Sequence, residues 1–165
     1  MKKNQGFTLI ELLVVITIIG ILMGILLPAV GAAFKKAKES RANTEVRALE
    51  TAVKAYLQEY GKFPLQFEAK DRTYTGNEYR DLVAILRGIN VDNKWNMKNI
   101  LFLEVGEDSI KNGALQDPWE GEYVVAADWS FNNIVNVNPA VMKLAVTGRN
   151  VIVWSTNNTD IATWK

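Results

Sequence analysis

The segment GFTLIELLVVITIIGILMGILLP, residues 6–28, decides how this chain is organised. Residues 7–34 contain a single charged side chain, Glu11, and are otherwise mostly apolar. An α-helix over these residues would be about 42 Å long at 1.5 Å per residue, and the hydrocarbon core of a bilayer is roughly 30 Å thick. The segment is therefore long enough to cross a membrane, where a charged group such as Glu11 is costly unless it has a partner.

The residues around this segment allow two ordinary interpretations. Lys2 and Lys3 before an apolar run fit a cleaved secretory signal, for which AVGAA at residues 29–33 is a candidate cleavage region. An uncleaved membrane anchor fits as well. In an anchor, Thr8 and Glu11 would form a capping box at the start of the helix, which alone would account for the acidic side chain.

A third interpretation comes from a resemblance. KKNQGFTLIELLVVITIIGILMGILLPAV resembles the class III signal of type IV pilins and type II secretion pseudopilins, in which a basic leader ends in Gly before Phe, and Glu lies four residues beyond that Phe. The resemblance implies that a prepilin peptidase cuts between Gly6 and Phe7 and methylates the amine of Phe7. It also implies a filament in which Glu11 meets the Phe7 amine of a neighbour, and in which the helix from Gly20 to Pro28 is prone to unwind.

Elementary electrostatics agrees with that role for Glu11. Cleavage would create a cationic amine at Phe7, where the helix dipole is already positive. A carboxylate one turn later offsets part of this charge. One rule opposes the interpretation, because the four basic residues after the span would favour an outside N-terminus under the positive-inside bias. We give the motif precedence and interpret Glu11 as an assembly residue.

Helical periodicity continues beyond the span. Apolar residues recur at intervals of three and four, which predicts one buried helix face. Acidic and basic residues fall between them, and we expect these side chains to face solvent. Gly61 and Pro64 are placed to end the helix, so the sequence predicts one helix over residues 7–60. The predicted buried residues are Val46, Leu49, Val53, Leu57 and Tyr60, and the predicted solvent-facing residues are Glu45, Arg47, Glu50, Lys54 and Gln58.

The remainder of the chain predicts a small α+β domain. A polar loop over residues 65–77 precedes a helix at residues 78–87, and residues 99–105 read as a strand or extended edge. Three β segments follow, at residues 121–127, 142–147 and 151–155, with TGRN at residues 147–150 as a hairpin turn between the last two. The predicted fold is a long N-terminal helix, membrane-spanning in its first half, packed on a three- to four-stranded antiparallel sheet, as in pilins.

Composition excludes several functions. The 165 residues include no Cys and no His, which rules out disulfides, thiolate zinc sites and imidazole bases. The formal net charge of +1 gives no electrostatic footprint for nucleic acid, and we expect none as a partner. Carboxylate pairs such as Asp117 and Glu122 show no spacing typical of a glycosidase site. We therefore predict no catalytic residues and no enzymatic activity.

Two C-terminal motifs add to the resemblance. QDPWEGEY at residues 116–123 is similar to the turn signature of the major, G-type pseudopilins, although Glu120 and Glu122 depart from it. VIVWSTNNTDIATW at residues 151–164 is similar to the ending in which pseudopilins bind calcium. The resemblance implies Ca²⁺ as the one possible cofactor, but a loop with one carboxylate is weak for a hard cation, and a metal-free turn is the alternative. The candidate ligands are Ser155, Asn157, Asn158 and Asp160.

The resemblance, together with these features, implies a structural subunit of a type II secretion pseudopilus. We expect a leader at residues 1–6, a membrane and assembly helix at residues 7–34, and a periplasmic domain at residues 35–165. The subunit would be stored in the inner membrane and polymerise with itself, with minor pseudopilins and the inner-membrane assembly platform as further partners. The alternatives are a type IV minor pilin, or an anchored binding domain that never polymerises. The lack of Cys excludes the terminal disulfide loop of adhesive pilins.

Overall fold

The computed structural model describes residues 7–164, and it divides the chain into two compact units, one ending at Lys38 and one beginning at Glu39. Helix α1 spans Leu9–Tyr60, which confirms the long helix predicted from the sequence. We call residues 7–38 the N-terminal unit and residues 39–164 the C-terminal unit, and we describe each separately.

The N-terminal unit is a helix that buries none of its side chains. Thr17 turns its hydroxyl back to the Leu13 carbonyl, 2.7 Å away, so the polar group is satisfied within the helix. Pro28 lies inside the helix without interrupting it. The helix thus shows no unwinding between Gly20 and Pro28. Within the described residues, α1 is long and apolar enough to cross a membrane, by length and composition.

The second part of α1 begins the core of the C-terminal unit. Val46, Leu49 and Val53 are buried, as the periodicity predicted, and Tyr56 joins them. Gly61 ends the helix with a φ of +67° and donates its N–H to the Leu57 carbonyl at 2.8 Å. This left-handed conformation favours glycine and explains why the helix ends there.

The C-terminal unit contains one further α-helix and short strands among the described residues. Helix α2 spans Gly76–Leu86, and 3₁₀ turns lie at Val91–Asn93 and Glu107–Ser109. The strands are β1 (Arg72–Tyr74), β2 (Ile110–Lys111), β3 (Ala114–Leu115), β4 (Tyr123–Ala127), β5 (Ile134–Asn136), β6 (Ala145–Thr147) and β7 (Val151–Ser155).

Three of these strands form the main sheet, in the order β1-β4-β7, and every pairing is antiparallel. β2 pairs with β3, and β5 pairs with β6, as two separate ribbons. Buried residues of α1, α2 and the main sheet form one hydrophobic core, which includes Leu49, Leu82 and Val125. A helix on an antiparallel sheet confirms the predicted α+β, pilin-like fold, and the sheet has three strands in this part of the chain.

The predicted hairpin between the last two strands is wrong. β6 pairs with β5, with Ile134 opposite Thr147, whereas β7 pairs with β4. The chain after β7 returns along its outer edge, where Ser155 N–H donates to the Ile161 carbonyl at 3.1 Å and Thr163 N–H donates to Val153 at 3.0 Å. Because the C-terminal residues occupy that edge, β6 has no place beside β7.

Three smaller predictions also need correction. Strand β1 lies within residues 65–77, which the sequence predicted as a loop, because three residues are too short to show alternation. Residues 99–105 form no strand; Phe102 and Leu103 instead donate their N–H groups to the Leu86 carbonyl at the end of α2. Glu45 and Glu50, predicted to face solvent, are only 8% and 9% exposed.

Candidate functional site

The capping box predicted at the start of α1 is present. Glu11 Oε2 accepts hydrogen bonds from the Thr8 backbone N–H at 2.8 Å and from the Thr8 hydroxyl at 2.6 Å. The Glu11 N–H donates to Thr8 Oγ1 at 3.3 Å in return. These bonds satisfy helix N-terminal donors and hold the carboxylate at the helix start. Within residues 7–164, Glu11 Oε1 accepts no hydrogen bond, so it can receive a further donor.

The other predicted assembly residues lie along the same helix. Phe7 is 76% exposed and immediately precedes Thr8. A side chain built at Gly20 would meet nothing within 4 Å in this chain, so the sequence does not need glycine there for internal packing. Gly6, the residue before the predicted cleavage point, and the leader at residues 1–6 lie outside the described residues. The processing of Gly6 and Phe7 therefore stays a prediction.

Residues 117–121, which begin with Asp-Pro-Trp and which we call the DPW turn, form a tight turn organised by one buried carboxylate. Asp117 is 4% exposed, and its Oδ1 accepts the backbone N–H groups of Trp119 at 2.9 Å and Gly121 at 2.7 Å. Its own N–H donates to the Gly121 carbonyl at 2.7 Å. Glu120, a departure from the family signature, adopts a left-handed φ of +69°. The motif is thus a structural turn, and Trp119 packs against the core beneath it.

The candidate calcium residues lie against this turn. Ser155 Oγ donates to Asp117 Oδ2 at 2.5 Å and accepts the Asn158 N–H at 3.1 Å. Asn157 Nδ2 donates to the Trp119 carbonyl at 3.1 Å and reaches Asp117 Oδ1 at 3.4 Å. The C-terminal loop is therefore fastened to the DPW turn by direct hydrogen bonds.

This arrangement does not fit a calcium site as it stands. Ca²⁺ needs six to eight oxygens converging on one point. Here the Ser155 hydroxyl already donates a hydrogen bond to Asp117, and Asn157 turns its amide nitrogen, not its oxygen, towards the Trp119 carbonyl. The Asn158 side-chain oxygen accepts the Asp160 N–H at 3.1 Å. The described residues also hold no cluster of three or more acidic, His or Cys side chains suited to a metal. Calcium binding would require these bonds to be replaced, and it stays an untested prediction.

Sequence reasoning missed a buried polar cluster centred on Glu45. The carboxylate accepts a hydrogen bond from the Tyr123 hydroxyl at 2.6 Å and pairs with Arg41 at 2.9 Å. Arg41 also donates to the Ser109 hydroxyl at 2.7 Å. Burial, with the adjacent Glu45 carboxylate, raises the pKa of Tyr123 well above its usual range. The i,i+4 spacing of Arg41 and Glu45 was the one sequence signal for this cluster.

A second missed feature is an open groove of about 1080 Å³ beside β1. Asp71 lines it and accepts hydrogen bonds from the Asn136 backbone N–H at 2.8 Å, the Asn136 side chain at 2.6 Å and the Ser130 hydroxyl at 3.0 Å. Burial disfavours the charged form of Asp71, but these hydrogen bonds outweigh it and lower its pKa. The carboxylate thereby joins the segment before β1 to the β5 ribbon.

Comparison with known proteins supports the interpretation of the N-terminal region. Residues 1–27 match the family model described as the prokaryotic N-terminal methylation motif. The chain is 40% identical over 78 residues to the type IV wide pilus major component of Thermus thermophilus, covering 47% of this chain and 51% of that protein. It is 48% identical over 68 residues to the type IV major alpha-pilin of Moraxella bovis, covering 41% of this chain and 42% of that protein.

A secretion protein matches as well. The type II secretion system core protein G of Vibrio cholerae is 38% identical over 64 residues, covering 39% of this chain and 44% of that protein. The chain thus spans about half or less of the length of these relatives. No solved structure matches the chain significantly. These findings confirm the resemblance to type IV pilins and pseudopilins, including the G-type.

Proposed function

Because the chain carries the N-terminal motif of the type IV pilin and pseudopilin family, we propose that it is a filament subunit of a type II secretion pseudopilus. It is stored in the inner membrane as a single-pass protein and polymerises through the N-terminal unit. The filament then helps move proteins across the outer membrane. The subunit has no enzymatic role, consistent with relatives described as pilins and secretion core proteins.

The single observation that carries this proposal is the position of the Glu11 carboxylate, which is fixed at the start of an exposed apolar helix. Its Oε2 is held by Thr8 at the first turn of α1, while every side chain of residues 7–38 is exposed. A helix of this apolarity needs lipid or other helices around it, since water would not tolerate so large an apolar surface. The positioned carboxylate then supplies the one specific polar contact, to the Phe7 amine of an adjacent subunit.

The proposal implies a sequence of events. A prepilin peptidase cleaves between Gly6 and Phe7 on the cytoplasmic side and methylates the Phe7 amine. The assembly platform in the inner membrane then draws subunits into the filament, with minor pseudopilins as additional members. The C-terminal unit lies in the periplasm throughout. Glu11 selects the position at which each new helix inserts, because an unpaired carboxylate in an apolar bundle is unfavourable.

A type IV pilin subunit is the second candidate. The identity of 48% to the Moraxella bovis alpha-pilin favours it, since this exceeds the 38% identity to the Vibrio cholerae core protein G. Against it, the chain has no Cys for the terminal disulfide loop of adhesive pilins. Complementation of a secretion mutant, compared with complementation of a pilus mutant, separates the two candidates. A non-polymerising anchored domain would complement neither.

The test is assembly by two variants that separate the two roles of Glu11. Glu11→Gln keeps an oxygen that can accept the capping bonds but removes the charge, and we expect loss of filaments in electron microscopy. Thr8→Ala removes the capping hydroxyl but keeps the carboxylate, and we expect filaments to persist. Membrane fractionation should show both variants inserted. Normal filaments from Glu11→Gln would contradict the proposal.

A further inference from the structure

Three lysines follow Phe34, the last large apolar residue of the N-terminal unit. Lys35, Lys36 and Lys38 lie within four residues of Phe34, and all three side chains are exposed. At about 100° per residue, their directions around the helix span roughly 160°. The lysines therefore cover a broad arc, a little under half of the helix circumference, and do not form a narrow stripe.

Two carboxylates of the C-terminal unit, Glu45 and Glu50, are not available to the lysines of a neighbouring copy. Glu45 accepts from Tyr123 and pairs with Arg41, and Glu50 pairs with Lys54 at 2.6 Å and approaches Arg149 at 3.4 Å. Both carboxylates are buried within their own chain. A neighbouring subunit would have to break these contacts before its Glu45 or Glu50 reached the lysines.

Membrane topology does not account for the lysines either. Under the proposed orientation they lie on the translocated side, where the positive-inside bias disfavours basic residues. Their distance from the N-terminus instead matches the thickness of a bilayer. The helix from Phe7 to Phe34 is about 42 Å long, and a bilayer with its headgroup regions is about 40–45 Å thick. Lysines at residues 35–38 would therefore reach the headgroup layer, helped by their flexible stems.

We propose that Lys35, Lys36 and Lys38 bind the phosphate groups of acidic phospholipids in the leaflet at the C-terminal end of the span. This inference rests on the proposed membrane insertion of the N-terminal unit. Each basic side chain near an anionic surface adds to the attraction, which weakens with salt. The lysines would then fix the depth of the stored subunit, and leaving the membrane for the filament would require their lipid contacts to be exchanged.

The experiment measures which lipids surround the helix next to the three lysines. The chain has no Cys, so Ala33→Cys gives one labelling point, two residues before the first lysine. The full mature chain, labelled there with bimane, is reconstituted in vesicles that contain equal mole fractions of brominated phosphatidylglycerol or brominated phosphatidylcholine. We expect phosphatidylglycerol to quench at least about threefold more effectively, and 0.5 M NaCl to reduce the difference.

Matched variants identify the lysines as the cause. In the triple variant Lys35→Gln, Lys36→Gln and Lys38→Gln, both lipids should quench the bimane fluorescence equally. The control triple variant Lys70→Gln, Lys94→Gln and Lys143→Gln loses the same charge at exposed positions of the C-terminal unit and should keep the full preference.

Each remaining outcome overturns the inference in a distinguishable way. Equal quenching of the unmodified chain by both lipids would overturn the lipid preference while leaving the membrane insertion intact. Quenching by neither lipid would show that the segment is not inserted, and would overturn the proposed function as well. Equal quenching of the unmodified chain by both lipids, together with loss of filaments in the first triple variant, would instead assign the lysines to contacts with another protein.

Discussion

The two parts of helix α1 use apolar side chains for different purposes. In the N-terminal unit every side chain is exposed, although nearly all are apolar. Beyond Lys38 the same helix buries Ala42, Val46, Leu49 and Val53 in the core of its own unit. The second part stabilises the fold of a single chain, whereas the first part has nothing to stabilise until lipid or other subunits surround it. Under the proposed function, one continuous helix thus joins a folding element to an assembly element.

The largest effect expected from this comparison is a difference between two identical substitutions. Leu49 is fully buried and Leu12 is 58% exposed. Leu49→Ala should lower the free energy of unfolding of the C-terminal unit by about 2–5 kcal/mol, because it removes buried contacts and leaves a cavity. Leu12→Ala should change that free energy by less than about 0.5 kcal/mol. Urea unfolding in detergent, followed by tryptophan fluorescence, measures both values.

Similar losses of stability from both substitutions would contradict this separation of roles. Such a result would mean that the N-terminal unit stabilises the fold of the C-terminal unit.

A second pair of substitutions sharpens the comparison within the C-terminal unit. Glu45→Ala leaves the Tyr123 hydroxyl buried without its partner, so we expect a loss of about 1–3 kcal/mol in unfolding free energy. Arg47→Ala, two residues later on the exposed face, should change it by less than about 0.5 kcal/mol. If Arg47→Ala proves as costly as Glu45→Ala, the exposed and buried faces have been assigned wrongly. A double-mutant cycle with Tyr123→Phe isolates the pair itself.

Alkaline pH has a smaller expected effect, and it acts on the C-terminal unit, because all tyrosines of the chain lie beyond residue 38. Burial raises the pKa of Tyr79 well above its usual range, and its hydroxyl donates to the Leu115 carbonyl at 3.0 Å. The folded state therefore holds this proton more tightly than the unfolded state, whose pKa is about 10. Stability should be fully present below about pH 10 and decline above it by up to about 1.4 kcal/mol per pH unit for each such tyrosine.

Urea unfolding at pH 8, 10 and 11 measures this decline, and Tyr79→Phe should make it shallower. A stability that stays constant up to pH 11 would show that the buried tyrosines are not held in their neutral form.

The smallest effect concerns calcium. Because Ser155 and Asn157 already hydrogen-bond to Asp117 and Trp119, we expect the melting temperature to change by less than about 1 °C between excess Ca²⁺ and a chelator. A clear rise with Ca²⁺, but not with Mg²⁺, would show instead that the loop reorganises into a cation site. Asp160→Asn should then abolish that rise, since Asp160 is the one carboxylate in the loop.

Strong local signals made much of the fold predictable. Apolar periodicity and Gly61 gave both the extent and the end of α1, and the Thr8–Glu11 spacing gave the capping box. Errors arose where long-range contacts decide the structure. Glu45 looks like a solvent-facing residue until Tyr123, distant in sequence, supplies a partner. The hairpin between β6 and β7 failed because the C-terminal residues, not a neighbouring strand, cover the β7 edge.

The functional site followed the same division. Glu11 and Phe7 were predicted from a dense local motif that lies within the matched family model, and their roles stay predictions. The calcium ligands were inferred from resemblance alone. The resemblance could not show that Asn157 turns its amide nitrogen towards the DPW turn, because that orientation depends on Asp117 and the Trp119 carbonyl.

Mass spectrometry of the mature N-terminus tests the central claim most directly. The claim is that the N-terminal unit becomes an assembly element only after its leader has been removed. We predict a chain that begins at Phe7 and carries one methyl group on its amine. A chain that still begins at Met1, or one that begins near Ala33, would contradict the account, because neither would bring a Phe7 amine to Glu11 of a neighbour.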